Sequence, residues 1–269
     1  SRAIWHSTYD AAPCPPVLHW LVDRLNSKQL DLVELLTERG SLIAIGGIED
    51  DLVKGVSYHR LAEAAGGWVD RFRKNGLTPG SRVSIQAGNT IPLVAFLYGA
   101  WCAGHLPLLQ SPRQPLSRSQ SLIADMQCKA FFSDHNLDLP SGSLPTGTVN
   151  PAVPATALFT SGSTGHPQIV VHTLANHLYS AMGSAINLPI ESDDRWLIML
   201  PLSHVSGLSI LFRCLIAGAT ALIARSGSLR DDDALDLLPQ VTRLSLVPAQ
   251  LQRLLEIPKD RFRNLRSVL

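Results

Sequence analysis

The sequence reads Thr160-Ser161-Gly162-Ser163-Thr164-Gly165-His166-Pro167-Gln168 between two short apolar runs. These runs, residues 155–159 and 168–172, are rich in apolar and β-branched residues and predict two strands joined by a loop. Glycines let backbone N–H groups come close to an oxyanion, and the hydroxyl groups add small donors. We therefore expect the loop to bind phosphate, with ATP as its natural ligand.

The same composition is also typical of an ordinary surface turn rich in serine and glycine. The common nucleoside-triphosphate loop GxxxxGK[ST] is a different motif, because it needs a lysine beside its last glycine and a helix after it. Here His166 follows Gly165, and an apolar run follows the loop. The flanking strands favour phosphate binding over a simple turn.

The chain has 269 residues, is 45% hydrophobic and carries a formal net charge of +1. It is long enough to bury a substantial core, either as one large domain or as two small ones. Its 23 basic and 22 acidic residues are interspersed, so bulk charge attracts neither nucleic acid nor an anionic membrane. Binding is therefore expected to be local, with no nucleic-acid partner.

The cysteines lie far apart and form no CxxC pair, which argues against a zinc site and a disulfide framework. They are Cys14, Cys102, Cys128 and Cys214. The apolar stretch 208–224 is short for a membrane span and contains Arg213 and Gly218, so it predicts a helix followed by a buried strand. With no secretory signal recognised at the amino terminus, we expect a cytoplasmic protein without a membrane span.

Predicted helices and strands alternate along the chain, a pattern typical of a mainly parallel α/β sheet. A helix over residues 61–72 follows a cap at Ser57, despite the weakening pair Gly66-Gly67. A stretch rich in Pro, Gly, Ser and Thr, residues 139–155, predicts a linker or surface excursion and a possible subdomain boundary. The other predicted strands are 83–86, 106–109, 130–132, 196–200, 220–224 and 244–247, and the other helices are 91–102, 116–126, 174–186, 206–216, 232–238 and 249–255.

Residues 160–168 resemble the signature loop of the adenylate-forming superfamily, which includes acyl-CoA synthetases, luciferases and peptide-synthetase adenylation domains. The run Leu200-Pro201-Leu202-Ser203-His204-Val205-Ser206-Gly207 is similar to the family's next motif, whose histidine lines the acyl pocket. Further similarity lies at Ser57-Tyr58 with Leu61, at Gly80-Ser81-Arg82-Val83, and at Ser245-Leu246-Val247-Pro248-Ala249-Gln250-Leu251. The resemblance implies that residues 1–269 form a truncated amino-terminal large domain of layered α/β sheets flanked by helices, without the small carboxy-terminal domain.

Within the superfamily, several segments look most like o-succinylbenzoate-CoA ligases of menaquinone or phylloquinone biosynthesis. They are Val171-His172-Thr173, Asp193-Asp194-Arg195-Trp196-Leu197, His204-Val205-Ser206-Gly207 and Leu246-Val247-Pro248. The resemblance implies that a carboxylate attacks the α-phosphorus of ATP to form an acyl-adenylate, from which the thiol of CoA displaces AMP. ATP, Mg2+ and CoA would then act together with a small carboxylate substrate.

The resemblance also implies roles for individual residues. The loop would hold the β and γ phosphates of ATP in place while negative charge moves onto pyrophosphate. Donors fixed in advance in this way provide preorganised electrostatic stabilisation. His204 would be catalytic and line the acyl pocket, with Ser206 and Gly207 in the same substrate-binding wall, although a satisfied core histidine is the alternative. The phosphate-binding residues would be Thr160, Ser161, Gly162, Ser163, Thr164, Gly165 and Gln168.

Gln168 departs from the family pattern, which usually has a lysine after the proline. Hydrogen bonds to charged groups contribute about 1.5–3 kcal/mol against about 0.5–1.5 kcal/mol for neutral pairs, so we expect weakened ATP binding. The family's aromatic-Gly-x-Thr-Glu motif, ribose-binding aspartate and distal lysine are not found, and Tyr98-Gly99-Ala100-Trp101 is the nearest approximation. The magnesium ligand is thus expected beyond Leu269, and the fragment alone is expected to be inactive.

Two other functions remain open on these residues. One is a different fatty or aryl acyl-CoA synthetase, and the other is a non-catalytic nucleotide or acyl binder. No metal site is predicted, because His166, His172 and His177 have no acidic neighbour, and their structural or exposed roles are favoured. The run 231–233 is interpreted as a helix start, and Trp101 and Trp196 as core residues.

Overall fold

The computed structural model describes residues 16–49, 52–160, 168–224 and 232–269. Helices and strands alternate through most of these ranges. The helices are α1 (Pro16–Ser27), α2 (Leu32–Thr37), α3 (Tyr58–Lys74), α4 (Ile91–Cys102), α5 (Leu116–Asp125), α6 (Leu174–Asn187), α7 (Val205–Ala217), α8 (Asp232–Leu237) and α9 (Pro248–Leu254). The strands are β1 (Ile43–Glu49), β2 (Leu52–Ser57), β3 (Arg82–Gln86), β4 (Leu106–Gln110), β5 (Ala130–Ser133), β6 (Pro154–Thr160), β7 (Gln168–Thr173), β8 (Arg195–Ile198), β9 (Thr220–Ile223), β10 (Arg243–Leu244) and β11 (Ser267–Val268).

The strands form two sheets that are mainly parallel, as the alternation of elements predicts. Sheet 1 has the order β5-β3-β4-β6-β7, in which β6 and β7 pair antiparallel. Sheet 2 has the order β11-β10-β8-β9-β1-β2, in which β1 and β2 pair antiparallel. The layered α/β fold is therefore confirmed. Because the other strands run parallel, their carboxyl ends share one edge in each sheet.

The sequence patterns missed the first part of sheet 2. β1 pairs in parallel with β9, with Ile45 opposite Ala221, and this contact joins segments far apart in the chain. The structure also shortens two predicted strands, because β8 ends at Ile198 and β10 ends at Leu244. The residues that follow them leave the sheet and form loops at its carboxyl edge.

Large aromatic side chains fill the core between the helices and the sheets. Trp101 and Trp196 are 1% and 0% exposed, which confirms their predicted core positions, and Trp68 is equally buried. The Tyr58 hydroxyl at the start of α3 lies 2.9 Å from the Cys214 carbonyl oxygen and 2.7 Å from that of Ala219. This buried polar contact ties α3 to α7 and β9.

The predicted linker connects β5 to β6 within one sheet, and its first part, residues 139–147, lies against α3. We call residues 139–147 the strap. Arg60 on α3 donates hydrogen bonds to the carbonyls of Leu139 and Pro140, at 2.8 and 3.0 Å. A Cβ at Gly67 would lie 2.7 Å from the Pro140 Cβ, so the glycine is required by this close approach. The possible subdomain boundary near residues 139–155 stays a prediction.

The apolar stretch 208–224 forms most of α7 and all of β9, which confirms the predicted helix and buried strand. In the described ranges no helix has both the length and the apolar character that crossing a membrane requires. Cys102, Cys128 and Cys214 are free thiols, whereas Cys14 lies outside the described residues. Asp231 also lies outside them, and α8 begins at Asp232.

Candidate functional site

The hairpin of β6 and β7 fixes both ends of the predicted phosphate loop. Thr160 and Gln168 are paired across the hairpin, and the Thr160 hydroxyl donates to the Gln168 carbonyl at 3.4 Å. This pairing confirms that the loop joins two strands. The predicted phosphate-binding residues between them lie outside the described residues, namely Ser161, Gly162, Ser163, Thr164 and Gly165.

Buried polar contacts anchor β6 to the helices behind it. The Trp101 indole donates to the Ala155 carbonyl at 2.8 Å, and the Thr156 hydroxyl lies 2.8 Å from Nε2 of His177. The His177 ring is stacked on Phe212, with ring centroids 4.7 Å apart. Burial, with a smaller contribution from a nearby histidine, lowers the pKa of His177 to about 4. His177 is therefore neutral at pH 7, and its contacts hold β6, α6 and α7 together.

The histidines do not form a metal site in the described part of the chain. His172 lies on β7 with its ring centroid 5.4 Å from that of His177, and His166 lies outside the described residues. The residues that the structure describes contain no group of three or more His, Cys, Asp or Glu side chains placed to hold a metal ion. His177 has the structural role that the sequence favoured.

His204 lies at the start of α7, in a turn that Asn89 holds from the other sheet. The Asn89 amide donates to the Leu200 carbonyl at 3.0 Å and accepts from the Leu202 N–H at 2.8 Å. The His204 N–H donates to the Pro201 carbonyl at 3.0 Å, which closes the turn. The His204 side chain is exposed and makes no capping hydrogen bond to its own described helix, so it is available to a ligand.

Gly207 is buried in the first turn of α7 because the chain passes very close to it. A Cβ at this position would lie 2.6 Å from the Pro201 carbonyl carbon and 2.7 Å from the Leu200 carbonyl oxygen. Glycine therefore lets α7 start directly against the Leu200–Pro201 backbone. Ser206 is exposed beside His204. The predicted role of Ser206 and Gly207 in a substrate-binding wall stays a prediction.

The candidate residues gather at the carboxyl edges of the two sheets. Thr160 ends β6, and Asn89 follows β3, both in sheet 1, while His204 follows β8 in sheet 2. The two hydrogen bonds of Asn89 join these edges directly. In α/β sheets, ligands bind outside the carboxyl ends of the strands. The structure thus places His204 and the ends of the loop on the side where a ligand is expected.

Sequence patterns did not identify Asn89, although a useful signal was present. Asn89 and Thr90 are polar residues that lie between the buried strand β3 and the helix α4. Thr90 caps the start of α4, because its hydroxyl accepts a 3.2 Å hydrogen bond from the Leu93 N–H. Such residues lie at the carboxyl edge of a parallel sheet. Asp134, which follows β5, supports the same loop by accepting from the Gly88 N–H at 3.2 Å.

A neutral hydrogen-bond network stiffens sheet 1 near the same edge. The Gln110 amide donates to the buried Ser84 hydroxyl at 2.6 Å, and its oxygen accepts from Ser119 at 2.8 Å. The Gln86 amide donates to the Gln114 carbonyl at 2.7 Å. These bonds join β3 and β4 to the first turns of α5. They satisfy polar groups that would otherwise be costly to bury.

An ion-pair cluster around Asp194 ties together the opposite, amino edge of sheet 2. Asp194 is fully buried and accepts hydrogen bonds from Arg243 at 2.9 Å, from Thr242 at 2.7 Å and from Arg266 at 3.0 Å. Burial alone raises the pKa of Asp194, but the hydrogen bonds from Arg243, Thr242 and the Glu191 N–H outweigh it and hold the pKa below its ordinary value. The charged Asp194 therefore fixes the starts of β8, β10 and β11.

The chain is similar in sequence to proteins of one family. The family profile described as AMP-binding enzyme matches residues 133–269. The 2-succinylbenzoate–CoA ligase of Escherichia coli (strain K12) is 35% identical over 230 residues, which cover 81% of this chain and 48% of the relative. The ligase of the same name from Bacillus pumilus (strain SAFR-032) is 30% identical over 234 residues, covering 79% and 48%. The chain therefore spans about half the length of these relatives.

Solved structures share the fold. O-succinylbenzoate coenzyme A synthetase (MenE) from Bacillus subtilis in complex with AMP has a TM-score of 0.75 at 26% identity, covering 87% of this chain and 66% of that chain. The same enzyme in complex with ATP and magnesium ion also has a TM-score of 0.75 at 26% identity, covering 87% and 54%. The N-terminal domain of FACL13 from Mycobacterium tuberculosis, at 19% identity and a TM-score of 0.72, supports the fold alone and covers 88% and 68%.

Proposed function

Because this chain belongs to the AMP-binding enzyme family, we propose that it takes part in the ATP-dependent activation of a carboxylic acid. In the first step the carboxylate oxygen attacks the α-phosphorus of ATP, and the bond from that phosphorus to pyrophosphate breaks. The products are an acyl-adenylate and pyrophosphate. The thiolate of CoA then attacks the acyl carbonyl carbon, the bond to AMP breaks, and an acyl-CoA is released.

In this proposal the loop from Thr160 to Gln168 binds the β and γ phosphates of ATP. Its glycines allow backbone N–H groups to approach the phosphates, and its hydroxyls supply further donors. Support comes from the place of the loop at the carboxyl end of β6, between paired ends that keep its span short. Donors fixed in advance favour the charge that develops on the departing pyrophosphate.

His204 would line the acyl pocket and steer the carboxylate towards the α-phosphorus. Its support is its exposed side chain at the start of α7, in a turn fixed by Asn89 on the other sheet. An imidazole N–H can donate a hydrogen bond to a carboxylate. Ser206 is exposed in the first turn of α7. It would contribute to the same wall of the acyl pocket.

We propose o-succinylbenzoate as the carboxylate and o-succinylbenzoyl-CoA as the product, which would place the reaction in menaquinone or phylloquinone biosynthesis. The names of the relatives and the resemblance of residues 171–173, 193–197 and 204–207 support this substrate. A cytoplasmic location is supported by the free thiols of Cys102, Cys128 and Cys214. Mg2+ would accompany ATP, but no ligand to it is assigned among the described residues.

The observation that carries the proposal is the pairing of Thr160 with Gln168 at the carboxyl edge of sheet 1, the edge that Asn89 joins to the turn of His204. We would test it by ATP–pyrophosphate exchange on the protein extended beyond Leu269, with o-succinylbenzoate, benzoate and a fatty acid. The proposal predicts exchange with o-succinylbenzoate above the other acids. It also predicts that replacing Ser163 and Thr164 together by Ala slows exchange at least about tenfold, because each substitution removes a hydroxyl that would donate a charge-assisted hydrogen bond to phosphate.

Ser143→Ala is the matched control, because Ser143 lies in the strap, away from the carboxyl edge, and should leave exchange unchanged. Preference for a fatty acid or benzoate would support a different acyl-CoA synthetase. Exchange that is insensitive to the loop substitutions would contradict the assigned role of the loop. The 269-residue chain itself should form no acyl-adenylate detectable by mass spectrometry, and its detection would overturn the expectation of an inactive fragment.

A second candidate function is a non-catalytic nucleotide or acyl binder. Gln168 favours it, because an uncharged amide stands where the family pattern usually has a lysine. This alternative predicts that the extended protein binds ATP without any exchange of pyrophosphate, whatever acid is supplied. Exchange with any of the acids would therefore exclude it.

A further inference from the structure

A single side chain in the loop after β3 joins the two sheets at their carboxyl edges. Asn89 is half-buried in this loop of sheet 1 and lies against the turn that follows β8 in sheet 2. Its side-chain nitrogen donates to the Leu200 carbonyl at 3.0 Å, and its oxygen accepts from the Leu202 N–H at 2.8 Å. Within the described ranges, no other hydrogen bond joins this loop to the turn.

These two bonds together require a primary amide at position 89. The Leu200 carbonyl needs a donor and the Leu202 N–H needs an acceptor, and an amide carries both on one planar group. A carboxylate offers no donor. Leu202 is 0% exposed, so its N–H cannot turn to water and would stay unpaired without Asn89. The amide of Asn89 therefore holds the turn in one position.

Asn89 itself is fixed through both of its neighbours in the chain. The Gly88 N–H donates to the Asp134 carboxylate at 3.2 Å, which ties the loop to the end of β5. The Thr90 hydroxyl accepts from the Leu93 N–H at 3.2 Å and caps α4. Because sheet 1 and α4 hold its neighbours, the Asn89 side chain extends towards the turn from a rigid base.

The turn has no second polar attachment to sheet 1 among the described residues. Ser203 is buried and lines a narrow gap together with Ala87 and Leu109, at the carboxyl ends of β3 and β4. Its hydroxyl makes no hydrogen bond to a described residue. Apolar contact selects one position less sharply than a directional hydrogen bond does. The position of His204, which follows Ser203, therefore depends mainly on Asn89.

We propose that Asn89 is a positioning residue of the candidate site. It holds His204 at the place from which the imidazole meets the carboxylate of the acid. Asn89 contacts no substrate and acts through His204. The catalytic part of this inference rests on the function proposed above, whereas the placement of His204 by Asn89 does not.

Different contacts hold the phosphate loop. Thr160 and Gln168 pair across β6 and β7, and the Trp101 indole and the His177 ring anchor the start of β6. In the described part of the chain, Asn89 makes no hydrogen bond to β6 or β7. Loss of Asn89 should therefore impair the use of the acid and leave the binding of ATP nearly unchanged.

The kinetic test is pyrophosphate exchange on the protein extended beyond Leu269, with whichever of the three acids named above the parent uses best. Asn89→Ala removes the amide, whereas Asn89→Gln keeps it on an arm one methylene longer. We expect kcat/KM for the acid to fall at least about tenfold in Asn89→Ala, since misplacement of a positioning group by about 1 Å can cost roughly 100-fold. Asn89→Gln should recover part of this loss, and the KM for ATP should change less than about twofold in both variants.

A double-mutant cycle separates positioning from general stabilisation. If Asn89 acts through His204, Asn89→Ala in a His204→Ala background should lower kcat/KM no further. Asn264→Ala is the matched control, because the Asn264 amide also donates to a distant carbonyl, that of Pro239 at 2.6 Å, but at the amino edge of sheet 2. It should leave kcat/KM for the acid and the KM for ATP unchanged.

The placement of His204 can be measured without any activity. In proton–carbon NMR spectra of the 269-residue chain, the His204 imidazole signals are those that disappear in His204→Ala. We expect Asn89→Ala to shift them and to leave the signals of the buried His177 in place. Asn89→Gln serves for the same comparison if Asn89→Ala does not fold, and Asn264→Ala should shift neither histidine.

The inference is overturned by His204 signals that neither Asn89 variant moves, or by a loss in Asn89→Ala that adds fully to that of His204→Ala. A KM for ATP that rises as much as kcat/KM for the acid falls would overturn it as well. A parent protein without exchange for any acid would instead contradict the function proposed above, and the NMR comparison would still decide whether Asn89 places His204.

Discussion

Gly207→Ala is expected to destabilise the chain by moving the start of α7 away from the Leu200–Pro201 backbone. The added Cβ would lie 2.6 Å from the Pro201 carbonyl carbon, whereas real Cβ atoms essentially never come within 3.0 Å of other heavy atoms. The Pro201 carbonyl oxygen would lie closer still, so the helix start must shift by more than about 0.4 Å, against rigid backbone on the opposite side. Overpacking of this kind costs about 1–3 kcal/mol.

The shift should also displace His204, which precedes α7 and shares the turn that Asn89 holds. Misplacement of a positioning group by about 1 Å can cost roughly 100-fold in rate, so a shift of a few tenths of an ångström should slow pyrophosphate exchange several-fold. Urea denaturation measures the stability change, and exchange kinetics on the extended protein measure the functional change.

Gly183→Ala on α6 is the matched control for the same chemical change. A Cβ there would meet no described atom within 4 Å, and alanine is favoured over glycine in helices by about 0.5–1 kcal/mol. Gly183→Ala should therefore raise the free energy of unfolding slightly. If Gly207→Ala is as stable as the parent in urea, Gly207 does not lie as close to the Leu200–Pro201 backbone as described here.

Three further outcomes are expected. His177 is neutral in the fold with a pKa of about 4, below its ordinary value of 6.5, so the unfolded state takes up its proton first as pH falls. The free energy of unfolding should drop by about 3 kcal/mol between pH 6.5 and 4, and His177→Phe should remove that slope in urea titrations. Asp194→Asn should lower the free energy of unfolding, measured by urea denaturation, by about 3–5 kcal/mol, because it leaves the buried cation of Arg243 without its partner. Asp193→Asn removes the charge of the exposed neighbouring carboxylate and should change the free energy of unfolding little. Gln168→Lys should lower the KM for ATP about fivefold in exchange kinetics, since a charged hydrogen bond gains about 1 kcal/mol over a neutral one, and an unchanged KM would show that position 168 does not contact the triphosphate.

Local sequence signals predicted much of the fold. The run 160–168 between β-branched segments predicted the hairpin of β6 and β7, and Ser57 marked the start of α3 by accepting from the Arg60 N–H at 3.1 Å. Each of these features depends on neighbours within a few residues. The alternation of helices and strands then gave the parallel sheets, because parallel strands need a crossover between them.

Features that depend on distant contacts were not predictable in this way. The pairing of β1 with β9 joins Gly46 to Leu222, and Asn89 contacts Leu200 across two sheets. Gly66-Gly67 looks unfavourable in a helix until the strap is seen to lie directly against it. A single sequence contains no record of such pairings, because their energy comes from packing that only the folded chain creates.

The residues of the candidate site fall into the same two groups: those indicated by the local sequence and those that depend on distant contacts. The hydroxyl and glycine composition identified the loop and its ends at Thr160 and Gln168, and resemblance identified His204. The clamp by Asn89 and the close approach at Gly207 emerged from the fold alone. The candidate binding residues could therefore be proposed from the sequence, whereas the groups that position Thr160, Gln168 and His204 could not.

We propose above all that the loop between Thr160 and Gln168 binds the triphosphate of ATP. A crystal structure with a nonhydrolysable ATP analogue tests it most directly. We expect density for the β and γ phosphates between the ends of β6 and β7, within hydrogen-bond distance of the loop's N–H and hydroxyl groups. Phosphates bound elsewhere, with the amides of the loop directed away from them, would contradict it.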